Sequence, residues 1–181
     1  MNPRINLFGG PGVGKSTFAA KLFAHLKREG ANVELVQEVV KQWVYEGRKI
    51  QPWDCVGIFA QQFEAEQRLL QNGVDHIITD SPLFLQCIYS KLVHGCPAHL
   101  ELADIAGRFN RTWPAINFLI RRPDVEYDSH GRYQDQEAAK VMDGKIIKML
   151  NYYCINYHLI HPDEDGFQHC LDLLETQCKN S

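Results

Sequence analysis

Gly9-Gly10-Pro11-Gly12-Val13-Gly14-Lys15-Ser16 satisfies G-x-x-x-x-G-K-[ST] at every position. It stands between a strand-like run and a helix-like one, the context that this pattern requires. Glycines there let successive backbone N–H groups turn toward one centre, and the N-terminal end of the following helix adds positive potential. The chemistry is the cradling of a polyphosphate. Lys15 is expected to neutralise the outer phosphates, and Ser16 to offer its hydroxyl to Mg²⁺, a hard cation that takes oxygen ligands. With Thr17 added, the stretch from Gly9 is the expected seat of ATP and Mg²⁺.

Three further groups have types and positions that serve such a cradle. Asp80 ends the apolar run His76-Ile77-Ile78-Thr79, where a carboxylate can face the metal opposite Ser16. Capping is the other reading: Asp80 or Ser81 accepts N–H bonds from a helix that Pro82 introduces, and the two roles can coexist. Glu38 lies just past the second strand, where strand ends line the ligand crevice of an open α/β sheet. It is a candidate base for a hydroxyl acceptor, or equally a first-turn helix carboxylate favoured by the macrodipole. Arg121, Arg122 and Arg132 bracket a polar stretch, Arg121–Gln134, whose Pro123, Asp128 and Gly131 are loop chemistry. Such a stretch can close as a lid, bringing Arg132 to the transferring phosphate and Arg121 to the nucleotide. As a plain solvated loop, its arginines would instead pair with Asp124, Glu126 or Asp128.

Positioning these groups takes an alternating series of strands and helices. Strands are expected at Arg4–Phe8, Val33–Val36, Ile77–Thr79, Ile116–Ile120 and Cys154–Ile160. Helices are expected after the glycine loop, near Glu38–Glu46 and Trp53–Leu70, from Pro82 to Leu92, over Ala98–Phe109, through Ala138, Met142, Ile146 and Met149, and over Phe167–Thr176. Alternation of this kind implies an α/β domain with a parallel sheet. Trp43, Tyr45, Arg48, Trp53, Phe59 and Phe63 concentrate between the second and third strands, a place for an acceptor pocket in which aromatics stack on a base. Gln61 or Gln62 would read a base edge there, although aromatics on a helix more often belong to the core.

The bulk numbers set the frame. With 181 residues, 45% hydrophobic and 23% charged, the chain suits a single domain over 1–181, stable by packing alone. Six cysteines form no C-x-x-C pair, which fits a reducing compartment. No basic-then-apolar leader precedes the first strand and no apolar stretch reaches membrane-spanning length, so a cytoplasmic location without membrane attachment is expected. A net charge of −3 speaks weakly against coating nucleic acid by bulk charge and leaves the acceptor open.

The same phosphate cradle serves ATPases, GTPases and kinases. The short chain leaves little room for a motor's accessory elements, the second half holds no N-K-x-D-like guanine reader, and the arginine-bracketed stretch favours a kinase. The combination of G-G-P-G-V-G-K-S-T, Q-E-V-V-K after the second strand, I-I-T-D-S-P at the third and Y-D-x-x-G-R-Y-Q in the candidate lid resembles the small P-loop kinases encoded by bacteriophages, over nearly the whole chain. Within that group it is similar to the 5-hydroxymethyluracil DNA kinases of phages that hypermodify thymidine, near the thymidylate kinase family. The resemblance implies a P-loop kinase-like three-layer α/β sandwich with a five-stranded parallel sheet and an Arg-containing lid. It also implies ATP and Mg²⁺ as cofactors and, in the host cytoplasm, transfer of the γ-phosphate to 5-hydroxymethyl-deoxyuridine in DNA. A duplex encloses that base, so the enzyme would flip it or reach its hydroxymethyl group through the major groove. The scaffold is also similar to nicotinamide riboside kinases and nucleoside monophosphate kinases, whose acceptors are free small molecules. A non-kinase regulatory ATPase stays open as the reading of a different class.

Overall fold

The computed structural model describes residues 4–123 and 136–179. Five strands, β1 (Arg4–Phe8), β2 (Val33–Val36), β3 (His76–Thr79), β4 (Ala115–Ile120) and β5 (His158–Ile160), form one sheet in the order β2-β3-β1-β4-β5. Every neighbouring pair is parallel. A parallel sheet is covered on both faces, so its strands read as unbroken apolar runs, as Ala115-Ile116-Asn117-Phe118-Leu119-Ile120 nearly does.

Among the described residues seven helices supply that cover: α1 (Lys15–Arg28), α2 (Val40–Tyr45), α3 (Asp54–Gln71), α4 (Leu83–Leu92), α5 (His99–Thr112), α6 (Gln136–Tyr152) and α7 (Glu164–Lys179). On one face Ile5, Leu7 and Phe118 of the sheet meet Phe18 and Leu22 of α1 and Phe167 of α7. On the other, Phe8 and Leu119 meet Phe59 of α3, Ile88 of α4, Ala106 of α5 and Ile146 of α6. The result is the expected three-layer sandwich, with two apolar cores separated by the sheet. Each large side chain buried in them contributes roughly 1.5–3 kcal/mol.

A buried polar cluster orients α3 against the sheet. The Arg4 guanidinium donates to Glu66 Oε2 at 2.8 Å, to Asn110 Oδ1 at 2.7 Å and to the Trp113 carbonyl at 3.0 Å, and sits 4.6 Å from the Phe109 ring centre. Burial raises the Glu66 carboxyl above the usual carboxylate range, and the facing Arg4 charge opposes that rise. One turn earlier, Gln62 donates to Thr79 Oγ1 at 3.1 Å. Thus α3 runs from the C-terminal end of β3 down to the start of β1.

Several boundaries differ from the sequence reading, each for a local reason. The last strand begins at His158 rather than Cys154, because α6 ends in a tight turn with Cys154 at φ 54°. There Cys154 N–H donates to Asn151 O and Ile155 N–H to Leu150 O, a helix-ending pattern that normally uses glycine. Helix α2 starts at Val40, so Glu38 precedes it and is not a first-turn helix carboxylate. Among the described residues no helix is long and apolar enough to cross a membrane.

Replacing Glu66 with alanine strands the Arg4 charge in a dry site, and removal of one partner from such a pair costs about 3–5 kcal/mol. Urea unfolding of Glu66→Ala should show a loss of that size, with the packing of α3 on the sheet loosened alongside.

Candidate functional site

The sheet order decides which loops meet. Strands β1 and β3 are neighbours in the register Asn6↔Thr79, so the loop leaving β1 and the residue ending β3 emerge side by side. The first is the glycine loop and the second is Asp80. Gly12 and Gly14 hold φ of 76° and 94°, left-handed values that a side chain disfavours, and with them the chain turns into α1. Lys15 Nζ donates to the Gly9 and Gly10 carbonyls, both at 2.9 Å, which keeps its charge on the loop.

Ser16 Oγ donates to Asp80 Oδ2 at 2.5 Å. Asp80 is almost wholly buried, and its Oδ1 has no hydrogen-bond partner among the described residues. A dry carboxylate oxygen left bare beside a hydroxyl is unfavourable unless a cation completes it. This all-oxygen pair fits Mg²⁺, which Ser16 and Asp80 would hold. The capping alternative is not realised: α4 has Pro82 at its N-cap with no side-chain bond there, and Ser81 Oγ instead accepts from Gln86 Nε2 at 2.5 Å.

Glu38 joins this group through space. Burial raises its carboxyl above the ordinary carboxylate range, with the Lys15 charge lowering it, Asp80 raising it and Lys41 lowering it. Desolvation is the largest of these influences, although the residue as a whole is half-buried. Ser16, Glu38 and Asp80 together form the head of a cleft of about 700 Å³. Helix α3 lines one side with Gln61, Glu64, Ala65 and Arg68, and α2 lines the other with Lys41, Gln42 and Tyr45.

The aromatic-rich segment is only partly in that cleft. Tyr45 lines it and is 71% exposed. Phe59 and Phe63 stack on each other within the core, and Gln62 is fully buried on Thr79, so Gln61 rather than Gln62 faces the cleft. Arg48 stacks on Trp43, 3.4 Å from its ring centre, and pairs with Asp54.

The arginine at the end of β4 that touches the phosphate loop is the second of the pair. Arg121 is exposed, with its backbone N–H on Ile160 O, whereas Arg122 donates to the Pro11 carbonyl at 2.8 Å and grips Asp143 of α6 through Nε and Nη2 at 2.6 and 3.0 Å. Asp143 gave a signal in the sequence: it falls on the same helical face as buried Ala139 and Ile146, an acid on an apolar stripe. Arg132 and the lid positions from Asp124 to Gln134 lie outside the described residues.

The strand–glycine loop–helix unit and the order of the parallel sheet agree with what comparison finds. A family model described as an AAA domain matches residues 4–165. The chain belongs to the AAA-domain family of P-loop NTPases. No curated protein sequence matches it. Among solved structures it is similar to NadR protein in complex with NR, with a TM-score of 0.72 at 15% identity over 94% of this chain and 50% of that one. NadR in complex with NAD and AMP-PNP gives 0.69 at 13% identity, over 94% and 48%. Thymidylate kinase from Ehrlichia chaffeensis gives 0.65 at 15% identity, over 95% and 98%. The chain thus spans about half the length of the NadR chains it matches. At these identities the likeness is one of fold: a P-loop kinase-like α/β sheet with helices on both faces.

A Cβ placed on Gly10 would lie 2.0 Å from Asp143 Oδ1 and 3.2 Å from Arg122 Nη2. Gly10→Ala should therefore weaken binding of a fluorescent ATP analogue at least tenfold, and adding Asp143→Ala should recover part of that loss by removing the clashing carboxylate.

Proposed function

We propose that this protein is an ATP-dependent kinase that moves the γ-phosphate of ATP to a hydroxyl acceptor, and that the acceptor is 5-hydroxymethyl-deoxyuridine in DNA. The observation that carries the kinase reading is Glu38: a desolvated carboxyl beside Lys15 and Asp80, at the head of a cleft large enough for a nucleoside. The sequence resemblance supports the acceptor.

In this reading the glycine-loop N–H groups and Lys15 hold the β- and γ-phosphates, and Ser16 and Asp80 hold Mg²⁺. The metal, when bound, neutralises charge on the phosphate oxygens. Glu38 accepts a hydrogen bond from the acceptor hydroxyl and so aims its oxygen at the γ-phosphorus. As the new O–P bond forms, the bond from the γ-phosphorus to the β,γ-bridging oxygen breaks and ADP leaves. The hydroxyl proton passes to Glu38, whose raised pKa makes its carboxylate a stronger base than an ordinary one. Arg122 and Asp143 brace the loop from β4 and α6, and Arg132 supplies positive charge to the transferring group.

A free nucleoside or nucleotide acceptor is the second reading, favoured by the cleft's modest size and by the fold shared with NadR and thymidylate kinase. The AAA-domain match also suits a regulatory ATPase, which would turn over ATP without regard to any acceptor.

Transfer of ³²P from γ-labelled ATP separates these readings. Label is expected on duplex DNA containing 5-hydroxymethyluracil and absent from unmodified DNA; label on free nucleosides or nucleotides alone moves the acceptor to the second reading. ADP release that no acceptor stimulates sinks the kinase. Lys15→Ala and Asp80→Ala should abolish transfer. Glu38→Gln should lower kcat by about 10²–10⁴-fold with little change in the KM for ATP, the range for loss of a positioned general base.

A further inference from the structure

The cleft beside Ser16 and Asp80 has two electrostatically different ends. Its head carries the carboxylates of Asp80 and Glu38. Along its α3 wall, Gln61, Glu64, Ala65 and Arg68 recur at helical spacing and so form one stripe. The direction of that stripe is set by its buried neighbours: Gln62 reaches Thr79, next to Asp80, while Glu66 reaches Arg4 at the opposite end of the sheet. Gln61 therefore marks the head end, and Arg68 lies two helical turns beyond it, about 10 Å along the axis.

Arg68 lines this cleft and, like Arg28, Arg111 and Arg121, is in no ion pair among the described residues. Arg4, Arg48, Arg108 and Arg122 each pair with a carboxylate. Among the described residues neither Arg68 nor Lys41 comes within ion-pair distance of one, although Glu64 stands one turn from Arg68 and Lys41 acts on Glu38 from further off. Two positive side chains thus face the cleft away from the Asp80 and Glu38 carboxyls at its head.

We propose that the acceptor is anionic and that Arg68, assisted by Lys41, binds a phosphate on it at the end remote from the hydroxyl that becomes phosphorylated. This rests on the kinase reading and names its substrate class: a nucleotide, free or within a strand, rather than a neutral nucleoside. The Glu38 carboxyl at the head suits a hydroxyl, from which it can accept a hydrogen bond. A guanidinium fork two turns away matches phosphate oxygens and fixes which end of the acceptor enters first. Between them Gln61 and Gln42 offer both donors and acceptors to a base edge, and Tyr45 offers a ring face.

The test is equilibrium binding in the presence of AMP-PNP and Mg²⁺, so that it does not depend on transfer. The probes are matched pairs of nucleoside and 5′-monophosphate carrying uracil, 5-hydroxymethyluracil, cytosine, adenine or guanine, together with a short single strand containing 5-hydroxymethyluracil. For the base that binds best, the phosphate-bearing form is expected to bind at least tenfold more tightly than the nucleoside. Arg68→Gln should erase that preference and Arg68→Lys should keep part of it, with circular dichroism and AMP-PNP affinity unchanged. Tighter binding of the monophosphate than of the strand assigns a free nucleotide, and the reverse order assigns a phosphodiester in nucleic acid. Equal binding within each pair, a preference that survives Arg68→Gln, or no binding of any probe overturns the proposal. A preference lost in Arg68→Gln but unaccompanied by γ-phosphate transfer to any probe supports the anion site and counts against the kinase reading alone.

Discussion

The parallel pairing of β1 with β3 governs the site. With Asn6 opposite Thr79, the loop that follows β1 and the carboxylate that follows β3 leave the sheet together, and the Ser16–Asp80 hydrogen bond ties them. Residues 64 positions apart in the chain are thereby held at bonding distance by a ladder that is buried on both faces. Because β1 lies between β3 and β4, the same loop is also reached from the end of β4, where Arg122 grips the Pro11 carbonyl. Moving β1 to an edge would separate all three.

Charge at the head of the cleft is balanced rather than uniform. Lys15 sits on loop carbonyls, Asp80 keeps one oxygen bare, and Glu38 is lifted by burial while Lys15 and Lys41 draw it back. Desolvation alone would leave the carboxyl neutral and a nearby cation alone would make it a weak base, so the two influences offset each other. The same opposition of burial and a facing cation occurs at Glu66, where its role is structural: Arg4 and Glu66 share a dry site at the far end of the sheet and seat α3.

Through Arg122 and Asp143 the phosphate loop is coupled to α6. The pair joins the end of β4 to the helix that starts at Gln136, and its carboxylate presses so closely on Gly10 that no side chain fits there. Displacement of α6 would therefore be felt at the loop through one ion pair and one carbonyl. The two elements that flank the arginine-bracketed segment are in this way physically connected to the nucleotide cradle.

Short-range order was legible in the sequence. The glycine loop, the strand that ends at Asp80 and the alternation of strands and helices all follow from patterns within a few residues, because backbone conformation and amphipathic spacing are local properties. Arg122 was visible as a member of an arginine pair, but which member turns inward depends on the register of β4 against β5 and on Asp143 approaching from α6. Phe59, Phe63 and Gln62 were candidates for a pocket although aromatics on a helix more often belong to a core, and the packing of α3 on the sheet put them in the core and left Gln61 and Arg68 facing the cleft. Composition and periodicity determined what could bind a phosphate; strand order and helix rotation, which sum many long-range contacts, decided what stands around it.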